Sequence, residues 1–170
     1  THVEPNLPGG EKNYLANCPI EISPENDREE IIEYLSSIRE KSVTADLAFY
    51  AYRDMDKCDW EPFVKAAIER NPVSIEALEG ISLDEVYKQL NSMSEGSIYD
   101  GNRLAQPDEV INFNTGDGIE KAILLANIIR SRNGEQDIEI SIDNSTVVVA
   151  AEKEYHFKSQ KSLVRKLAID

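Results

Sequence analysis

Residues 116–120 (Gly-Asp-Gly-Ile-Glu) begin a long apolar run and form the segment whose residue types best suit chemistry. Asp117 is typical of a helix N-cap, and Glu120, three residues later, completes a capping box. The amide groups and the dipole at a helix start lower the pKa of a nucleophile placed there. In this chain the first helical position is Gly118, which has no side chain. The segment therefore has the form of a reactive helix start without a reactive group.

Other candidate nucleophiles and bases are few and scattered. The chain has two cysteines, Cys18 and Cys58, and only one of its two histidines, His156, lies in a patterned segment. His156 stands between Tyr155 and Phe157, so in a strand it faces away from both. A lone strand histidine is more often a packed or surface residue than a general base. We therefore do not expect these residues to rebuild a catalytic triad.

Metal and nucleotide sites are not indicated by the sequence. Two histidines and two cysteines 40 residues apart do not have the spacing of a zinc site. Asp54, Asp56 and Asp59 lack the glycine and the final glutamate of a calcium-binding EF-hand loop. Residues 115–118 lack the lysine and the spacing of a phosphate-binding P-loop. We expect no metal ion and no cofactor.

The charge balance narrows the possible partners. The chain of 170 residues has 18 basic and 32 acidic residues, which gives a formal net charge of −14. Nucleic-acid phosphates require a basic surface, so we expect no nucleic-acid partner. No apolar run approaches the about 20 residues that span a bilayer, so we expect no membrane insertion. A protein, a peptide or a small polar ligand stays open as the partner.

The compartment also stays open. Residues 1–10 are polar and rich in proline and glycine, so they do not resemble a signal peptide, although processing can remove one. We expect a soluble protein, either cytoplasmic or secreted with its signal peptide removed. The two cysteines are compatible with free thiols or with one disulfide.

The first half of the chain is predicted to be helical. Residues 1–25 contain most of the prolines and form an extended arm, in which Ile20 and Ile22 suggest one short strand. Residues 107–113 resemble a helical turn that starts with a proline. The 3.6-residue apolar period predicts four further helices, at about residues 27–41, 44–55, 60–70 and 82–93.

The chain changes character in its second half. Apolar residues cover nearly the whole circumference of a helix at 117–132, so this helix is expected to be surrounded by protein. Alternating and β-branched runs then predict a small antiparallel sheet, with strands at residues 138–142, 146–151 and 155–157. Residues 162–169 suggest a short closing helix. Helices followed by strands predict an α+β fold, with an arm at residues 1–25 and one domain at residues 26–170.

The order of a glycine turn, a buried helix and an antiparallel meander resembles the transglutaminase-like family of papain-like cysteine enzymes. The resemblance covers roughly the last 75 residues. It rests on three motifs: Ile98-Tyr99-Asp100, Ala105-Gln106-Pro107-Asp108-Glu109-Val110 and Gly116-Asp117-Gly118-Ile119-Glu120-Lys121-Ala122. The family usually has Gly-Asp-Cys, an acidic residue and alanine at the last motif, followed by a leucine-rich helix.

The resemblance implies that all three catalytic residues of the family are substituted here. Gly118 takes the place of the cysteine. The family's histidine begins the strand after the helix, where this chain has Asn144 and Ser145. Its orienting aspartate follows on the next strand, where this chain has Ser159. Three coordinated losses indicate a natural non-catalytic relative, so we expect no catalytic residue and no enzyme activity.

Three functional hypotheses follow. The first is a non-catalytic transglutaminase-like domain whose degenerate cleft binds a protein, a peptide or a small polar ligand. The residues assigned to that cleft are Asn112, Asp117, Gly118, Asn144, Ser145 and Ser159. The second is a hydrolase that uses Asp117 or Glu120 as a base with His156 nearby; helix capping alone also explains both carboxylates. The third is a purely structural acidic interaction module.

Overall fold

The computed structural model describes residues 13–169, and of Tyr50 only the backbone. Residues 13–27 contain no regular element, and the first half of the arm lies outside the described residues. The described chain has seven helices: α1 (Arg28–Ile38), α2 (Val43–Tyr52), α3 (Trp60–Glu69), α4 (Pro72–Ala77), α5 (Leu83–Ser92), α6 (Pro107–Phe113) and α7 (Gly118–Arg132). Four strands follow: β1 (Ile138–Asp143), β2 (Thr146–Ala150), β3 (Glu154–Lys158) and β4 (Val164–Ile169).

The fold is α+β, as the sequence predicts. The four strands form one antiparallel sheet in the order β3-β2-β1-β4. Helix α7 is the central element of the fold, since it contacts strands β1, β2 and β3 of this sheet as well as helices α3, α4, α5 and α6. Every residue of α7 from Gly118 to Ile129 is buried, so the prediction of a helix surrounded by protein is confirmed.

Two predicted elements are wrong. Residues 162–169 do not form a helix, because they pair with β1 as strand β4, with Leu167 and Ile169 buried. Leu163 and Leu167 are four residues apart, a spacing that suits a helix, and the tertiary pairing overrides it. The short strand suggested at Ile20 and Ile22 is also absent from the described arm, and an isolated strand has no neighbour to satisfy its backbone groups.

Helix α4 is not among the predicted elements. It has only six residues, too few for the apolar period to stand out. The sequence feature that indicates this helix is the pair Asn71-Pro72, because proline suits the first helical position. The Asn71 side-chain amide donates to the carbonyl oxygens of Ala66 and Ala67, so it also holds the end of α3 against the start of α4.

The free edge of β3 is covered by Tyr87 of α5. The Tyr87 hydroxyl donates to the backbone oxygen of His156 (2.8 Å) and accepts from its amide (3.3 Å). The Tyr87 ring packs edge-on against Tyr155 and Phe157, with centroids 5.1 and 5.3 Å apart. Because an uncovered edge strand is a template for pairing with other chains, this side chain protects the sheet.

The Tyr87→Phe variant is expected to lose about 1 kcal/mol of stability and to exchange the His156 amide hydrogen faster, because the ring stays while both hydrogen bonds are lost. The measurement is residue-resolved hydrogen exchange by NMR. Tyr34→Phe is the matched control, since within residues 13–169 its hydroxyl accepts one exposed hydrogen bond, from the Glu21 amide. Unchanged His156 exchange in Tyr87→Phe would contradict the edge-covering role.

None of the helices within residues 13–169 is long and apolar enough to cross a lipid bilayer.

Candidate functional site

The start of α7 has the capping box that the sequence predicts. Asp117 is the N-cap, and its Oδ1 accepts from the Ile119 amide at 3.0 Å. The Oε2 of Glu120 accepts from the Asp117 amide at 2.8 Å. Both carboxylates are essentially inaccessible to solvent, with Asp117 1% and Glu120 0% exposed. The helix start is therefore buried, whereas an active site would present it to substrate.

Gly118 lies against the backbone of β3. A Cβ atom at this position would lie 2.5 Å from the carbonyl carbon of Lys158 and closer still to its oxygen. Real Cβ contacts essentially never approach within 3.0 Å, and the obstacle is backbone rather than a flexible side chain. No nucleophile side chain fits at position 118 in this arrangement, and no ligand fits between Gly118 and the strand. Glycine is present because helix and strand approach closely.

Asp117 also holds the loop between β3 and β4. Its Oδ1 accepts from the Ser159 hydroxyl at 2.7 Å, and its Oδ2 accepts from the Gln160 amide at 2.7 Å. The Ser159 hydroxyl accepts in turn from the Lys161 amide at 3.0 Å. Ser159 is 7% exposed. The structure thus brings together two predicted site residues, Asp117 and Ser159, but as a buried clamp between helix and loop.

Glu120 extends the buried polar network to the loop before α6. Its Oε1 accepts from the Ser97 hydroxyl (2.5 Å) and from the Ala105 amide (2.8 Å). Burial raises the pKa of Glu120, because these hydrogen bonds only partly replace the water that the carboxylate loses. A shifted pKa in a cleft would indicate function, but this carboxylate is buried and its hydrogen bonds join the helix start to neighbouring loops.

Lys161 belongs to the same network and is not identified by the sequence reasoning. It is 7% exposed, and its ammonium group donates to the carbonyl oxygens of Tyr99 (3.1 Å) and Gly101 (2.8 Å). Burial lowers its pKa, an effect opposed by the nearby Glu120 and Asp117 charges. Lysine side chains are seldom buried, and Lys161 lies in a polar, lysine-rich stretch of the sequence. The local sequence therefore does not indicate that Lys161 is buried.

The remaining predicted site residues are exposed. Asn144 and Ser145 form the two-residue turn between β1 and β2, and Asn144 has a left-handed φ of +49°, which asparagine tolerates better than most residues. The Ser145 carbonyl accepts from the Ser159 amide at 3.0 Å. Asn112 lies exposed near the end of α6. Ligand binding by these residues stays a prediction.

The residues proposed for a hydrolase do not converge. His156 faces away from the buried Tyr155 and Phe157, as predicted, and its side chain is 59% exposed. Its recorded side-chain contact is with Glu154, at 3.6 Å. Asp117 lies on the buried side of the sheet with both oxygens hydrogen-bonded. The arrangement therefore does not favour a proton relay between them.

The two cysteines are free thiols. Cys58 is partly buried, and its Sγ donates to the carbonyl of Phe49 at 2.7 Å. Burial raises the pKa of Cys58 to about 11, so the nucleophilic thiolate is scarce at neutral pH. Within residues 13–169, no three histidine, cysteine, aspartate or glutamate side chains are grouped so as to hold a metal ion.

The buried Glu120 has a consequence for pH dependence. Its pKa in the folded state lies above the ordinary 4.5, so the folded state binds more protons than the unfolded state near that pH. The contribution of Glu120 to the free energy of unfolding therefore falls as the pH rises from about 4.5 through the folded-state pKa. The Glu120→Gln variant, which is neutral at every pH, lacks this fall.

We expect the difference in unfolding free energy, wild type minus Glu120→Gln, to decrease between acidic and neutral pH. The measurement is urea unfolding of both proteins across that range. Glu85→Gln is the control, because Glu85 is exposed and its pKa is lowered by the Ser82 hydroxyl, so its contribution changes with the opposite sign. A wild type minus Glu120→Gln difference that does not vary with pH contradicts the expectation.

The chain matches no protein-family model, and no curated protein and no solved structure shows significant similarity to it.

Proposed function

We propose that this chain is a non-catalytic domain, of the transglutaminase-like type that its sequence resembles, and that it acts by binding a protein partner. The observation that carries the proposal is the contact between Gly118 and the Lys158 backbone. On that resemblance, position 118 is where a cysteine enzyme of that type holds its nucleophile, and here the backbone of Lys158 lies directly against it. Enzymes of this class need an accessible thiolate, and this geometry has no place for one.

The other two substituted positions support the same proposal. Asn144 suits a left-handed turn, and Ser159 donates to a buried carboxylate. Each residue therefore has a structural role, and the family's catalytic side chain would fill that role less well. Gly118, Asn144 and Ser159 are thus better explained as parts of the folding framework than as remnants of an open cleft. The binding surface is then expected elsewhere on the molecule.

Exposed apolar side chains and grooves supply candidates for that surface. Large apolar side chains that are between 37% and 66% exposed are Leu15, Ile22, Val43, Val73, Phe113 and Val164. Two open grooves have volumes of about 420 and 490 Å³, within the range of binding sites. The net charge of −14 disfavours phosphate-rich partners, so a protein or peptide is the partner class that remains.

The hydrolase alternative has no observation in its favour. His156 is exposed on the outer face of the sheet, while Asp117 and Glu120 are buried and fully engaged. The small-ligand version of the degenerate cleft is similarly disfavoured by the closed contact at Gly118.

The proposal is tested by two measurements on the full chain. The first is turnover of activated esters, peptide amides and glutamine amides, for which we expect no rate above a buffer blank. The second is selection from an unbiased display library of peptides of about twelve residues, for which we expect enrichment of sequences that free peptide displaces. Turnover that is lost in Asp117→Asn, with its fold intact, or the absence of any displaceable peptide, would overturn the proposal.

A further inference from the structure

Strand β4 is an edge of the sheet, because it is the last strand of the order β3-β2-β1-β4. The Asn144 amide donates to the Leu163 carbonyl, a pair that continues the register of β1 with β4. In an antiparallel ladder, opposite residues alternately exchange and lack hydrogen bonds. The residues bonded to β1 are therefore Arg165, Leu167 and Ile169. The amide and carbonyl groups of Val164, Lys166 and Ala168 point away from the sheet.

The same reasoning on the other edge agrees with the observed contacts. The Ser159 amide donates to the Ser145 carbonyl, which continues the register of β2 with β3. This pairing directs the backbone groups of His156 and Lys158 outwards. Tyr87 binds both backbone groups of His156, and Gly118 lies against the carbonyl of Lys158. The β3 edge is thus covered at both positions.

The β4 edge has no such cover among residues 13–169. No described side chain bonds the backbone of Val164, Lys166 or Ala168, and the one contact at the end of the strand is from Arg130 to the Ile169 carbonyl. Sheets usually protect their edges, because unpaired backbone groups recruit other strands. An edge left open beside a covered one is a surface suited to a partner.

A groove runs along this open edge between β4 and α3, and we call it the α3–β4 groove. Its volume is about 490 Å³. Val64 and Ile68 from α3 and Leu167 from β4 line it, together with charged residues of both signs. The edge strand supplies main-chain hydrogen-bonding groups on one side of the groove, and α3 supplies apolar side chains on the other.

We propose that the α3–β4 groove binds an extended segment of a partner protein, which adds to the sheet as a further strand beside β4. The outward backbone groups bond the segment's main chain, as in other cases of strand addition. Successive side chains of a strand point to opposite faces, so every second residue of the segment enters the groove. The segment that fits has apolar residues at alternate positions. This docking role rests on the protein-binding function proposed above.

A second copy of the chain is a poorer occupant than a different partner. Two β4 strands paired with each other would place the adjacent Arg165 and Lys166 of one copy near those of the other, and like charges on neighbouring strands are destabilising. The two copies would also each carry a net charge of −14. The partner is therefore expected to be a different protein.

The test uses two sets of synthetic peptides of about seven residues, the length that spans β4. In the first set Val, Ile, Leu or Phe alternates with Ser, Thr or Gln. The second set has the same composition with the apolar residues consecutive. We expect the alternating set to bind the full chain more tightly, and to slow hydrogen exchange at the amides of Val164, Lys166 and Ala168.

Variants locate the binding surface. Lys166→Pro removes one outward amide without affecting the bonds to β1, and is expected to weaken binding about tenfold. Lys166→Ala, which keeps the amide, is its matched control and is expected to bind as wild type does. Ile68→Lys places a charge in the α3–β4 groove and is also expected to weaken binding, whereas Val73→Lys on the exposed face of α4 is not.

The proposal is overturned if both peptide sets bind equally, or if binding survives Ile68→Lys and Lys166→Pro in folded variants. It is also overturned if protection falls on the groove between α1 and α2, lined by Ile31, Leu35 and Phe49. In those cases the chain still binds peptides, so the protein-binding function proposed above is retained and only its location on the α3–β4 groove is wrong. The absence of displaceable peptides from the unbiased library, by contrast, removes the broader function itself.

Discussion

Replacing Gly118 by alanine is expected to lower the free energy of unfolding by about 3 kcal/mol or more, enough to unfold a marginally stable domain. The added Cβ would overlap the Lys158 carbonyl, which belongs to a paired strand and cannot move aside cheaply. The measured loss of stability distinguishes two explanations for the glycine at position 118. A glycine left by the loss of a nucleophile tolerates alanine, whereas a glycine required by close packing does not.

Gly134→Ala is the matched control for that experiment. Nothing lies within 4 Å of a Cβ placed at Gly134, so the same substitution is expected to change stability by less than about 1 kcal/mol. Urea unfolding of the wild type and both variants gives the comparison. Equal stability of Gly118→Ala and wild type would mean that space exists at the helix start, and the degenerate-cleft hypothesis would regain its basis.

The second large effect is expected at Asp117. Asp117→Ala removes the helix cap, and it also leaves the Ser159 hydroxyl and the Gln160 amide without their buried acceptor. A lost cap costs about 1 kcal/mol, the buried Ser159 hydroxyl left unpaired costs about 1–3 kcal/mol, and the part-buried Gln160 amide adds about 1 kcal/mol. We therefore expect a total loss of about 3–5 kcal/mol, measured by urea unfolding.

Asp59→Ala is the control, because it removes a helix N-cap without removing any buried hydrogen-bond acceptor. Asp59 caps α3 by accepting from the Glu61 amide at 3.3 Å, and it is exposed. Its replacement is expected to cost about 1 kcal/mol. If Asp117→Ala costs no more than Asp59→Ala, the Asp117 clamp on the β3–β4 loop contributes nothing and the account of the site is wrong.

Much of the fold could be predicted because local patterns and tertiary structure agree. The capping box at Asp117, the apolar circumference of α7 and the alternation in β1 each determine their element without long-range information. The C-terminal strand could not be predicted in the same way. Residues Val164 to Ile169 have a pattern that suits either state, and the pairing with β1 decides between them.

The capped helix start at Asp117 could be predicted from the sequence, but the packing around it could not. Gly118, Asn144 and Ser159 are substituted catalytic positions only on the family resemblance, whereas the structure shows a packing or hydrogen-bonding role for each of them. The contact between Gly118 and Lys158 joins residues 40 apart in the sequence, and no local pattern encodes such an approach. The burial of Lys161 could not be predicted either, because it also depends on contacts between residues far apart in the sequence.

Gly116 offers an instructive contrast within the same turn. A Cβ at Gly116 would meet a methyl group of Val110 at 3.0 Å, and a side-chain methyl can shift where a paired backbone cannot. The two glycines of the motif are equivalent in the sequence but not in the structure. Only Gly118 is fixed by a strand.

The central claim is that the helix start is a packing site that does not suit the chemistry of a cysteine enzyme. The most direct test is the variant Gly118→Cys/Asn144→His/Ser159→Asp, in which the pH midpoint of iodoacetamide alkylation at position 118 is read by peptide mass spectrometry. We predict loss of the native fold and an ordinary thiol midpoint of about 8.5. A variant that melts like the wild type, with a midpoint below about 7.5, would contradict the account.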